Sequence, residues 1–289
     1  MDQAEQLRII KANQQIRPLA RVITVTSGKG GVGKSNTAIN LAIQFRKMSK
    51  KVIILDADFG LANIEIMFGA VPKHNLYDLI YQGKKIQDII TWGPMEVGFI
   101  SGGSGIAGMA NLNRDYLNYI IQNLAQLDTL ADIILVDTGA GISDAVLEFL
   151  VASGEIVLVT TPEPTSITDS YSLLKALYRH PRFREEDTKV KMLANRVEKE
   201  TEGQILFDKL NAVVKRYLKI PMTYLGSVPQ DVLLSRAVMQ QMPVSLLNPD
   251  AKSSQAYEGI AARLLGTDET KRQPKRGMAA FFSHMISRT

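Results

Sequence analysis

The sequence predicts an α/β domain built on a mostly parallel sheet with helices on both faces. Three observations carry that prediction. Short apolar runs rich in Val and Ile alternate with helical patterns along most of the chain, a glycine-rich turn joins the first such run to the first helix, and several later runs end in an aspartate or a turn. A strand that is apolar at every position must be covered on both faces, and crossover helices are what cover a parallel sheet.

The first strand is read as VITVTS (22–27), followed by the helical KSNTAINLAIQFRKM (34–48). KVIILDAD (51–58) is a strand running into a loop, and ADIILVDTG (131–139) a strand feeding the helix SDAVLEFLVAS (143–153). Two more strand–helix pairs follow: EIVLVTTPE (155–163) with TDSYSLLKALYRH (168–180), and VKMLANRV (190–197) with QILFDKLNAVVKRYL (204–218). No linker-like break interrupts this signal, so residues 19–266 are read as one domain, with extensions at 1–18 and 267–289 and no internal repeat.

Composition narrows the chemistry. The chain has no cysteine and three scattered histidines, so disulfides, thiolate clusters and histidine metal sites are excluded and any metal binds through oxygen. Its net charge of +5 resides in residues 271–289, which contain Lys271, Arg272, Lys275, Arg276 and Arg288 and no acid. The rest is balanced, 29 basic against 29 acidic residues, and no specific nucleic-acid surface is expected. No apolar run is long enough to span a bilayer and the first residues are polar, so the chain is expected in the cytoplasm.

Gly28, Lys29, Gly30, Gly31, Val32, Gly33, Lys34 and Ser35 satisfy G-x-x-x-x-G-K-S between a strand and a helix, the context that gives a phosphate-binding loop its meaning. The glycines let several backbone N–H groups converge on phosphate, and the helix N-terminus adds partial positive charge. Lys34 is assigned to the β- and γ-phosphates, Ser35 to Mg²⁺, and Asn36 to the same cradle. Strand ends supply the acids: Asp137, followed by the turn Thr138 to Gly141, and Asp56, both as Mg²⁺ ligands acting through water. Asp58 is the candidate that orients attacking water. Lys29 is surplus to this arrangement; an ammonium there must pair with phosphate or stand in solvent.

These residues carry a resemblance. GKGGVGKS with its early lysine is similar to the deviant Walker A motif of the MinD/ParA family of ATPases, DADFGLAN (56–63) resembles that family's switch I, and DTGAG (137–141) its switch II. ANRV (194–197) and VPQD (228–231) resemble its adenine-side segments, which implies nucleotide contacts for Asn195, Arg196, Pro229 and Asp231. The resemblance implies ATP as the nucleotide, a face-to-face homodimer when ATP is bound and a monomer otherwise. It also implies that Lys29 reaches the partner's phosphates as a catalytic residue with Lys34 and Asp58, and that Glu163 lies near the dimer face.

Within the family, iron–sulfur members need cysteines, autokinases a C-terminal tyrosine cluster where here the last tyrosine is Tyr257, and DNA-partitioning members a basic body. That leaves a membrane-cycling, MinD-like branch. After KRQPKRG, the residues Met278, Phe281, Phe282, Met285 and Ile286 fall on one helical face, flanked by Lys275 and Arg276, as suits an anionic membrane surface. The same face can dock on the protein's own domain, and the two arrangements can alternate with nucleotide state.

DQAEQLR (2–8) resembles the N-terminal motif of the FlhG (FleN/YlxH) branch, and GGSGIAG (102–108) is also similar to it. That resemblance implies slow ATP hydrolysis, control of flagellar number and placement, and an FlhF-type signal-recognition-particle GTPase as partner, engaged by Gln3, Gln6, Leu7 and Arg8. Flagellar C-ring components are a further partner class. The alternatives are a division-site MinD and an assembly scaffold that binds nucleotide without turning it over.

Overall fold

Apolar residues at successive strand positions here separate onto two covered faces. Ile23, Val25, Ile54, Ile133 and Leu135 belong to one buried cluster, whereas Val22, Ile53, Leu55, Ile134 and Val136 belong to another. The period-2 geometry of a strand makes that division, and helices on each side complete it. The computed structural model describes residues 19–58, 63–102, 122–266 and 277–286.

The sheet has 8 strands. In chain order they are β1 (Arg21–Ser27), β2 (Val52–Ala57), β3 (Thr91–Trp92), β4 (Gly98–Ser101), β5 (Ile133–Ala140), β6 (Glu155–Thr160), β7 (Lys189–Val197) and β8 (Met222–Pro229). Their order across the sheet is β3-β4-β2-β5-β1-β6-β7-β8, parallel throughout except for the short edge strand β3. The α-helices among the described residues are α1 (Lys34–Lys47), α2 (Asn63–Phe68), α3 (Leu76–Tyr81), α4 (Leu127–Leu130), α5 (Asp144–Ala152), α6 (Pro164–Arg179), α7 (Glu200–Tyr217), α8 (Val232–Met239), α9 (Val244–Leu247), α10 (Lys252–Gly266) and α11 (Met278–Ile286). The five expected strands and four expected helices are all present.

Strands β3, β4 and β8 are not among those the sequence marks. GFIS is shorter than the apolar runs that signal a buried strand, and MTYLGSVP carries Gly226 at a φ of 138°, which interrupts the pattern. Helix α6 begins at Pro164, earlier than its apolar periodicity, because proline suits a first helical position.

Because the strands run parallel, β1, β2, β5, β6, β7 and β8 all end at one edge of the sheet. Crevices at the carboxyl ends of such strands are where α/β folds bind ligands. At the opposite edge, Arg21 makes two hydrogen bonds of 2.8 Å to Glu155, and Lys191 approaches the same carboxylate at 2.7 Å. Burial works against this carboxylate, but the Arg21 guanidinium and then Lys191 hold it below the usual range, tying β1, β6 and β7 together.

Helix α11 lies against its own domain. Met278, Phe281 and Phe282 are buried in the cluster that includes Phe149 and Ala152 of α5, and the Phe281 and Phe149 rings are 6.0 Å apart. Of the two arrangements open to this apolar face, the structure holds the docked one, which withdraws Met278, Phe281 and Phe282 from any lipid; Met285 is half-buried. Lys275 and Arg276, the side chain of Ile286, the N-terminal candidates Gln3, Gln6, Leu7 and Arg8, residues 59–62 of the switch-I stretch and residues 103–108 of GGSGIAG lie outside the described residues.

Candidate nucleotide-binding site

The loop between β1 and α1 holds its shape through backbone that only glycine permits. Gly33 sits at a φ of 98°, and a side chain there would collide with Asn195. Gly28 packs so closely on the backbone of Asp169 and Ser170 in α6 that a Cβ has no room. The loop carbonyls are fastened from β7: Asn195 donates from Nδ2 to the Val32 carbonyl at 2.7 Å, and Arg196 donates from Nη2 to the Gly31 carbonyl at 2.8 Å. Arg196 does so from a φ of 59°, a left-handed conformation that costs energy in a non-glycine residue.

Lys34 is buried at the start of α1, within electrostatic reach of Asp137 on β5. Asp56 and Asp137 are direct partners in the β2–β5 register, so both carboxylates stand at the same level of the sheet edge. Burial raises the Asp137 carboxyl to about 6 despite the nearby Ser35 hydroxyl and Lys34. Asp56 rises to about 8, by burial first and then by the negative field of Asp137. No hydrogen bond of good geometry reaches either Asp137 oxygen within the chain, although the Ser35 hydroxyl lies close enough to lower the carboxyl's pKa. Two buried acids that resist ionisation, one of them with orphaned oxygens, are what a divalent cation bound through oxygen would relieve.

The residues therefore fit Mg²⁺. Among the described residues no group of three or more His, Cys, Asp or Glu forms a metal cage, as expected where phosphate and water complete the coordination. Asp58 follows β2, where its N–H donates to Asp56 Oδ1 at 3.1 Å and its carboxylate stands over Gly139 in the switch-II turn.

Lys29 is held by partners of its own chain. Its ammonium is 2.6 Å from Glu163 Oε2 and donates to Thr165 Oγ1 at 2.8 Å, so the first turn of α6 holds it. Glu163 is lowered by this pairing, and by a weaker pull from Arg196. Thr161, Pro162, Glu163, Arg196, Glu198, Glu202 and Gln230 line an open cavity of about 360 Å³ at the carboxyl ends of β6, β7 and β8.

The structure thus gathers Gly28 to Asn36, Asp56, Asp58, Asp137, Glu163 and Arg196 at one sheet edge. Three candidates make contacts within the chain that the sequence did not indicate. Asn195 is buried under the loop as its brace. The Asp231 carboxylate is engaged by α8 and α10, accepting from the Leu233 N–H at 2.9 Å and from the Ser253 hydroxyl at 2.7 Å, so its side chain caps α8. Glu163 contacts Lys29 within the same chain. Thr165, Glu198 and Gln230 went unmarked; Pro164 in the first turn of a helix was the one signal that bore on Thr165.

A ParA family model, described as NUBPL iron-transfer P-loop NTPase, matches residues 18–265. The chain belongs to the MinD/ParA family of P-loop NTPases. Its FlhG character is shown by two relatives: "Antiactivator FleN" of Pseudomonas aeruginosa, 38% identical over 84% of this chain and 86% of that protein, and "Flagellum site-determining protein YlxH" of Helicobacter pylori, 34% identical over 92% and 90%. Iron–sulfur carriage by cysteines, which the family description brings to mind, is closed to this member, which has none. Solved MinD structures share the fold. That of Pyrococcus furiosus MinD has a TM-score of 0.67 at 20% identity, covering 86% of this chain and 100% of that one. Pyrococcus horikoshii MinD, complexed with Mg-ADP, has a TM-score of 0.66 at 22% identity over 87% and 97%.

Proposed function

We propose that this MinD/ParA-family chain is an ATP-dependent dimerising switch that controls the number and placement of flagella, acts with an FlhF-type GTPase, and associates reversibly with the inner face of the cell membrane. The observation that carries the switch is Lys29, a cation at the mouth of the phosphate loop that the chain's own site does not need and that α6 holds aside. The flagellar role rests on likeness to FleN and YlxH over most of the chain.

The parts divide as follows. The loop N–H groups and Lys34 bind the β- and γ-phosphates, and Asn195 and Arg196 keep the loop in that shape. Ser35, Asp56 and Asp137 hold Mg²⁺, which when bound offsets phosphate charge. Asp58, at the end of β2 over the switch-II turn, orients the attacking water. Lys29 leaves Glu163 and Thr165 for the phosphates of a second copy, which makes ATP the reason to dimerise. The dimer then carries two tails, and two weak membrane anchors hold far better than one.

Size-exclusion chromatography with light scattering tests this reading. With ATP and Mg²⁺ the wild type is expected to dimerise, Asp58→Ala to remain dimeric for longer, and Lys29→Ala to stay monomeric while still binding nucleotide. A Lys29→Ala protein that dimerises normally would remove the trans role. Flotation with phosphatidylglycerol vesicles tests the membrane step, and phosphate release with and without lipid separates an ATPase from a nucleotide-binding scaffold.

A further inference from the structure

Helix α11 is fastened at both ends by side chains of the body, each of the sign that suits that end of a helix. At its N-terminus Asp128, on α4, accepts from the Met278 N–H at 2.9 Å. At its C-terminal turn Arg182, just beyond α6, donates to the His284 carbonyl at 2.6 Å. The first N–H groups and last carbonyls of a helix have no partner within it, so an acid at the start and a cation at the end satisfy orphaned groups and oppose the helix dipole together.

The two fasteners differ in what lies behind them. Arg182 also binds Glu148 of α5, which His180 approaches at 3.7 Å, so one guanidinium joins α5, the end of α6 and the tail. Both of those helices start at the nucleotide site. Helix α5 begins immediately after the switch-II turn, capped by Ser143, and its 9 residues span about 13 Å. Helix α6 begins where Glu163 and Thr165 hold Lys29 and Gly28 packs on Asp169, and its 16 residues span about 24 Å. A hydroxyl network of Thr160, Ser166 and Ser170 ties the first turns of α6 to β6, which pairs with β1, the strand that leads into the phosphate loop.

We propose that Arg182 is the latch of the docked tail, and that its hold is set from the nucleotide site through α5 and α6: departure of Lys29 from α6 and closure of the switch-II turn on phosphate shift the two helix ends that position the guanidinium, and α11 is released. This rests on the docking-and-release reading above. Arg182 is a positioning residue, remote from phosphate. Asp128, attached to neither lever, is a static cap.

The cysteine-free chain allows a direct test. In a Met285→Cys background, whose new thiol is half-buried while α11 is docked, the rate of thiol labelling reports undocking without any lipid. Removal of a charge-assisted hydrogen bond should speed labelling in nucleotide-free Arg182→Ala about tenfold, and ATP with Mg²⁺ should add less than about twofold, against a large acceleration in the parent. Glu148→Gln should act in the same direction, and Arg182→Lys should restore part of the slow rate. Arg182→Ala and Glu148→Gln that label like the parent, or that keep the parent's full ATP acceleration, overturn the proposal. Vesicle flotation of the same proteins separates the two readings: fast labelling without vesicle binding keeps the latch and refutes the membrane role.

Discussion

At the scale of single residues, the site is held by contacts that adjust phosphate-loop shape and cation position separately. Asn195 braces the loop through one hydrogen bond while filling the space beside Gly33, so Asn195→Ala should lose both the bond and the packing. A nucleotide affinity about tenfold weaker, measured by calorimetry, is the expected outcome, with the fold intact by circular dichroism. The Lys29–Glu163 pair is exposed, so solvent screens it and Glu163→Gln should leave the melting temperature unchanged. The same substitution frees Lys29, and dimerisation should then occur at lower ATP concentration. Unaltered ATP dependence would show that Glu163 does not restrain the lysine.

Among elements, α11 is the one whose attachment is local. Its apolar face covers α5 without joining the sheet, so it can open while the rest of the domain stays folded. Phe282→Ala removes a fully buried ring and should cost about 3 kcal/mol or more in docking. Hydrogen exchange is expected to show lost protection in residues 278–286 alone. Unchanged protection there would mean that Phe282 contributes nothing to docking. Helix α6 is the opposite case, because Gly28 lies against its backbone: Gly28→Ala has no room and should impair both folding and nucleotide binding.

For the molecule as a whole, the Arg21–Glu155–Lys191 cluster joins strands at the edge away from the site. A carboxyl whose folded pKa lies below its unfolded value of 4.5 adds stability above that value and loses it as pH falls through the folded pKa. Glu155→Gln should therefore destabilise the protein by about 3 kcal/mol near neutrality, where it breaks a buried pair. The deficit should begin to shrink below about pH 4.5, where the unfolded wild type takes up the proton, and shrink further as pH falls through the lower folded pKa. Denaturant unfolding at both pH values reads this directly; a deficit independent of pH would assign the loss to packing.

Much of this protein was legible from the chain alone, for a physical reason: a phosphate loop is a contiguous stretch whose strand–turn–helix context is contiguous too. SGKGGVGKS, the aspartates at the ends of VIILD and IILVD, and the apolar face of 278–286 are local patterns, so sheet class, phosphate chemistry and an amphipathic tail could be read without coordinates. What covers each of those features is long-range. Lys29 meets Glu163 across a separation of 134 residues, Asn195 braces Val32 across 163, and Met278 meets Asp128 across 150. Pairings at such distances depend on strand order, which periodicity does not encode. Tertiary structure alone decided that the spare lysine is held by α6, that Asp231 caps a helix, and that the tail lies docked with Arg182 at its end.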